Sequence, residues 1–132
     1  MARLALFLSL LLAAAALPSS ADAQIAAASP TRLFLFLYRP GPAWRAGVPM
    51  QQQDLRAHAA YHARLVQEGR SFAAGGFDGQ DGGMAIVRAA SRAEAEAMLA
   101  ADPAIRNGVF VADIRQWTPR FRADAPLVAP AG

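Results

Sequence analysis

The chain of 132 residues has no cysteine, no lysine and only two histidines. Without cysteine there is no disulfide, no thiolate nucleophile and no sulfur-based metal site, so stability must come from packing, within the chain or against a second one. The missing lysine leaves arginine to carry all the positive charge. A formal net charge of +3, spread along the chain without a basic run, gives no footprint for a nucleic-acid partner. Long hydrophobic runs are also scarce. The one from Leu4 to Leu17 is shorter than the roughly 20 residues that span a bilayer. Preceded by Arg3 and followed by Ala21-Asp22-Ala23, it reads as a signal peptide over residues 1–23. The expectation is an exported protein, periplasmic or secreted, beginning at Gln24 and keeping no membrane segment.

What is present organises the rest. Residues 24–31 are rich in small side chains and read as a linker, and residues 122–132 read as a loosely held Ala/Pro tail. Between them lies one domain, residues 32–121. Arg32 to Tyr38 (RLFLFLY) predicts a strand stopped by Arg39-Pro40-Gly41-Pro42, and Gln51 to Glu68 a helix ended by Gly69. Ser71 to Phe77 and Met84 to Ala90 predict two strands joined by a glycine-rich turn. Ser91-Arg92-Ala93-Glu94 is a capping box opening a second helix, which Asp102-Pro103 closes before a last strand over Gly108 to Trp117.

The order β-α-β-β-α-β is the split βαβ, or ferredoxin-like, α+β arrangement: a four-stranded antiparallel sheet with both helices on one face. Its first strand is apolar on both sides, with Leu33, Leu35 and Leu37 facing one way and Phe34, Phe36 and Tyr38 the other. Two helices cover only one face. The other face, mixed apolar and polar in the last strand, suits either a partner sheet, which would make a homodimer, or a ligand cleft better than open water.

Several stretches taken in order resemble the YCII-related family. They are Tyr38-Arg39-Pro40-Gly41-Pro42-Ala43-Trp44, His58 eleven residues before Gly69, the glycine-rich turn after the second strand, Ser91 with its acidic helix, Asp102-Pro103, Asn107-Gly108-Val109-Phe110 and Trp117. Gly75-Gly76 stands where the family pattern has Gly-Pro. The resemblance implies a dimeric α+β barrel of two face-to-face sheets. It also implies a site around a helix histidine and an aspartate, which match His58 and Asp102 here. The wider resemblance includes a dehydrochlorinase of a chlorinated hydroxyquinol, and muconolactone isomerases share the barrel.

His58 and His62 lie four apart in RAHAAYHARL, on or beside the apolar stripe of the predicted helix. His62 falls near the middle of that stripe, where packing explains it; His58 falls nearer the edge, within reach of a cleft. Asp102 beside His58 would fix its tautomer and stabilise the charged ring, making the pair an acid/base dyad that loses activity on acidification. Tyr38, Trp44, Arg45 and Arg115 are further candidates for binding substrate, arginine suiting an anionic or phenolate group.

A histidine pair at this spacing also chelates metals. However, Ala59 stands where a zinc-protease helix carries glutamate, and Asp54 is as well explained as a first-turn residue, so no metal or other cofactor is assigned. The run Gly75 to Gly83 precedes a strand instead of a helix, which fits a hairpin turn and not a phosphate loop, with Asp78 and Asp81 as turn formers. The function expected is lyase or isomerase chemistry on a small molecule, aromatic or oxygenated. The alternative is a non-catalytic dimeric module that binds a small ligand in the same cleft.

Overall fold

The computed structural model describes residues 31–121. The expected signal peptide, nearly all of the linker and the tail lie outside the described residues. Four strands form one antiparallel sheet: β1 (Arg32–Pro40), β2 (Ser71–Gly76), β3 (Gly83–Ala89) and β4 (Phe110–Trp117), in the order β2-β3-β1-β4. Three helices accompany it: α1 (Arg56–Gln67), α2 (Arg92–Ala100) and the single turn α3 (Pro103–Arg106). This is the ferredoxin-like α+β arrangement. No helix among the described residues is long and apolar enough to cross a membrane.

The alternation in β1 sorts its side chains as the pleat requires. Phe34, Phe36 and Tyr38 are buried and share a core with Ala85 and Val87 of β3, Phe110 of β4, Leu65 of α1 and Met98 of α2. Leu33, Leu35 and Leu37 lie on the opposite face beside Met84 and Ile86 of β3, all only half-buried in the isolated chain.

Strand ends differ from the sequence expectation by a residue or two, β1 running on through Arg39 and Pro40, and the helices differ in two ways. The first helix begins at Arg56 and not near Gln51, because residues Met50–Gln52 form a separate 3₁₀ turn and Gln53 is drawn inward. The Gln53 amide donates to the carbonyls of Arg45 and Val48, both at 2.8 Å, and accepts from the Arg45 N–H at 3.1 Å. A side chain spent on tying the preceding loop holds its backbone extended, at ψ 160°, outside a helix. Asp54 therefore precedes the helix instead of lying in its first turn. The second difference is α3, which the sequence reading missed. Asp102 does stop α2, but it then caps a new turn, accepting from the Ala104 N–H at 2.9 Å with Pro103 at the first helical position.

The end of α1 follows the sequence closely. Gly69 adopts φ +68°, its N–H bonds the Val66 carbonyl at 3.0 Å, and the Arg70 N–H bonds that of Leu65 at 2.8 Å, a Schellman closure. That turn sends the chain back along α1 into β2.

Candidate functional site

A cleft of about 730 Å³ runs along α1, between it and the sheet. It is walled by α1, by the 3₁₀ turn and by the glycine-rich ends of β2 and β3. Its size suits a small organic molecule. Most of the wall is apolar, with Met50, Leu55, Ala59 and Val66 among its side chains, and His58 opens onto it.

Four polar side chains from three elements converge at its inner end. Tyr38 is the last inward-facing residue of β1, His58 and His62 stand one turn apart on α1, and Asp102 caps α3. The helical spacing of four puts both imidazoles on one side of α1, with ring centroids 4.7 Å apart. Asp102 is fully buried, the His62 side chain is 7% exposed and that of His58 18%. His58 Nδ1 lies 2.8 and 2.9 Å from the two Asp102 oxygens. The Tyr38 hydroxyl donates to Asp102 Oδ2 at 3.0 Å, and His62 Nε2 lies 3.0 Å from that hydroxyl and 3.3 Å from Oδ2.

A buried carboxylate must be paired or change its protonation state. Burial by itself pushes the Asp102 carboxyl up, but the hydrogen bonds from His58 and His62, the attraction of a charged His58 ring and the Ala104 N–H outweigh it and hold the group well below the usual carboxylate range. Tyr38 moves the other way: burial first, then the negative charge and hydrogen bond of Asp102, push its hydroxyl far above the ordinary tyrosine value. Tyr38 thus keeps its proton, as its donor role requires.

Because an ionised Asp102 can only accept, His58 carries its proton on Nδ1. In the neutral ring Nε2 is then a lone pair with no hydrogen-bond partner among the described residues, on a side chain that borders the cleft. That is the arrangement of an oriented general base. Phe110 backs the His58 ring at 5.4 Å between centroids and limits its rotation.

One ring nitrogen of each histidine and one Asp102 oxygen lie within 4.8 Å of one another, close enough to share a metal ion. A metal-bound imidazole ordinarily donates its other N–H to an acceptor, yet His62 Nδ1 is buried with no partner among the described residues. The four side chains form a hydrogen-bonded network around Asp102, with His62 Nδ1 its one unpaired atom among the described residues.

The sequence candidates divide into those at the cleft and those elsewhere. His58 and Asp102 are in direct contact. Tyr38 borders the cleft, although its hydroxyl is engaged by Asp102 and His62 instead of being free for a ligand. Trp44, Arg45 and Arg115, the other sequence candidates for binding substrate, do not line this cleft. Trp44 stacks on Phe110 at 5.4 Å, Arg45 serves the loop through its backbone, and Arg115 pairs with Leu35, which puts it on the opposite face of the sheet. His62, read from sequence as a packing residue, belongs to the Asp102 cluster as well as to the core.

Other wall residues escaped the sequence reading. Arg56 lines the cleft and makes no ion pair among the described residues. Gly76 lets Met50 lie across the strand: a Cβ there would meet the Met50 methyl at 2.6 Å. The Gly75-Gly76 departure was visible in the sequence, but nothing there tied it to Met50.

The family model of the YCII-related domain matches residues 33–118. No curated protein and no solved structure matches this chain.

Proposed function

Since the chain belongs to the YCII-related domain family, we propose that it is an acid/base enzyme of lyase or isomerase type. Its substrate is a small aromatic or oxygenated molecule held in the cleft beside α1. The observation that carries this reading is the contact of His58 Nδ1 with Asp102 at 2.8 Å, which leaves Nε2 as a base at the cleft wall. His58 removes a proton from a carbon made acidic by a neighbouring carbonyl, which holds the electron pair as an enolate. The electron pair left behind expels a leaving group in a lyase, or accepts the proton back at another carbon in an isomerase. Asp102 does not touch substrate; it orients the ring and stabilises the imidazolium.

The test is turnover on a panel of chlorinated hydroxyaromatics and unsaturated lactones, followed by chloride release and absorbance. Replacing His58 with Asn removes turnover while the circular dichroism and oligomeric state stay as in the wild type. Full activity in that variant would sink the proposal. The binding-module reading draws on the mostly apolar wall; it predicts saturable binding of such compounds without reaction, with affinity changed in the same variant.

We propose further that the protein is exported and acts as a homodimer. Export rests on Ala21-Asp22-Ala23 behind the apolar run, and the intact mass of natively exported protein checks it, a chain that keeps Met1 counting against cleavage. The dimer rests on the second face of the sheet.

A further inference from the structure

His62 Nδ1 is a buried nitrogen with nothing to bond among the described residues, and such an atom calls for an explanation. The explanation lies in the single hydroxyl proton of Tyr38. Were that proton given to His62, the Tyr38 oxygen would face Asp102 Oδ2 at 3.0 Å as one acceptor against another. His62 would then also bury an unpaired N–H donor at Nδ1. With the proton given to Asp102, both problems vanish. His62 Nε2–H then donates to the Tyr38 oxygen at 3.0 Å, with Oδ2 at 3.3 Å beyond it, and only a lone pair is left unpaired at Nδ1.

Asp102 therefore receives two full donors before His58 is counted, the Ala104 N–H at 2.9 Å and the Tyr38 O–H at 3.0 Å, and a weaker third from the His62 N–H, shared with Tyr38, at 3.3 Å. Resting on the reading of His58 as the base, we infer that Tyr38 and His62 are positioning residues: they saturate Asp102, so that a proton taken up at His58 Nε2 stays on the imidazole instead of passing through Nδ1 to the carboxylate. The second histidine is the part of the site that decides how strongly Asp102 pulls on the first. Tyr38 is its intermediary, polarised by the His62 N–H it accepts and so a better donor to Asp102.

The prediction is read without substrate, in the proton and nitrogen NMR spectrum of the full chain. The wild type shows a downfield Nδ1–H resonance from His58, identified by its loss in His58→Asn. In His62→Leu, Asp102 loses one donor and Tyr38 donates less well, so the carboxylate accepts more strongly from His58 and the resonance moves further downfield. His62→Gln, whose amide nitrogen stands as many bonds from the backbone as Nε2, returns it toward the wild-type position. A residue that only fills space would leave the resonance unmoved in a folded His62→Leu, and that result overturns the inference while the dyad stands. Absence of the resonance in the wild type overturns the dyad and this inference together. If His62→Leu does not fold, Tyr38→Phe removes one oxygen and carries the same test: a downfield shift supports the inference, an unmoved resonance overturns it.

Discussion

Asp102 shows how one side chain serves fold and site at once. Its Oδ1 caps α3 through the Ala104 N–H, and its carboxylate gathers His58, His62 and Tyr38. Asparagine would keep the cap but point an NH₂ group at donors that need an acceptor. Asp102→Asn is therefore expected to cost about 3 kcal/mol in urea unfolding, the range for breaking a buried, hydrogen-bonded charge. The acid limb of stability follows from the same contacts. Since the folded carboxyl lies below its unfolded value of 3.8, the unfolded chain takes up the extra proton first as pH falls. The stabilisation from this group is intact above that value and is lost progressively below it. The urea midpoint should fall on acidification below about pH 4, and fall less steeply in Asp102→Asn. Tyr38 acts at the other limb: burial and Asp102 raise its hydroxyl above the unfolded value of 10.0, so its contribution is lost as pH rises beyond that.

At the scale of elements, caps and glycines decide where the walls of the cleft stand. Ser91 Oγ accepts from the Glu94 N–H at 3.1 Å, while Glu94 reaches back to the N–H of Ala90, at 2.8 Å, one residue before the one a capping box ordinarily uses. Glu94 also pairs with Arg70 at 2.9 Å, linking α2 to the chain entering β2. Ser91→Ala is expected to lower stability by about 1 kcal/mol. Two glycines at the cleft end of the β2–β3 hairpin should respond very differently to alanine. Gly82 has φ +109°, and a Cβ would collide with the Tyr38 carbonyl oxygen, which is backbone and cannot retreat. Gly82→Ala should cost about 3 kcal/mol. At Gly76 the obstacle is the far end of Met50, which swings away, so Gly76→Ala should cost under about 1 kcal/mol while moving Met50 and reshaping the cleft. Urea midpoints in the reverse order would refute this account.

At the scale of the whole molecule the open face of the sheet is the dominant feature. Leu33, Leu35, Leu37, Met84 and Ile86 form a half-buried apolar strip, with Phe72 52% and Trp117 39% exposed at its margins. At roughly 25 cal/mol per Å², covering a few hundred Å² of such surface contributes on the order of 10 kcal/mol, comparable to the stability of a small domain. Light scattering at micromolar concentration is expected to give a dimer, and Leu35→Arg, which places a second cation beside Arg115 in the middle of the strip, a monomer or a destabilised chain. A stable wild-type monomer would reject the dimer.

Local periodicity made much of this legible in advance. The alternation in RLFLFLY announces a strand with two apolar faces, Gly69 announces the end of α1, Ser91 the start of α2, and the spacing of four between the histidines their common side. These signals act between residues a few positions apart, where backbone geometry alone fixes the relation. The late start of α1 escaped because it depends on Gln53 reaching back eight residues to Arg45, a competition invisible to a helical pattern. The site itself joins residues 44 and 64 positions apart. No pattern reveals that His62 shares Asp102 with His58, or that Arg115 faces away from the cleft while Arg56 faces it. Those relations follow from strand register and from the docking of α1 against the sheet, which are settled by packing of the whole chain.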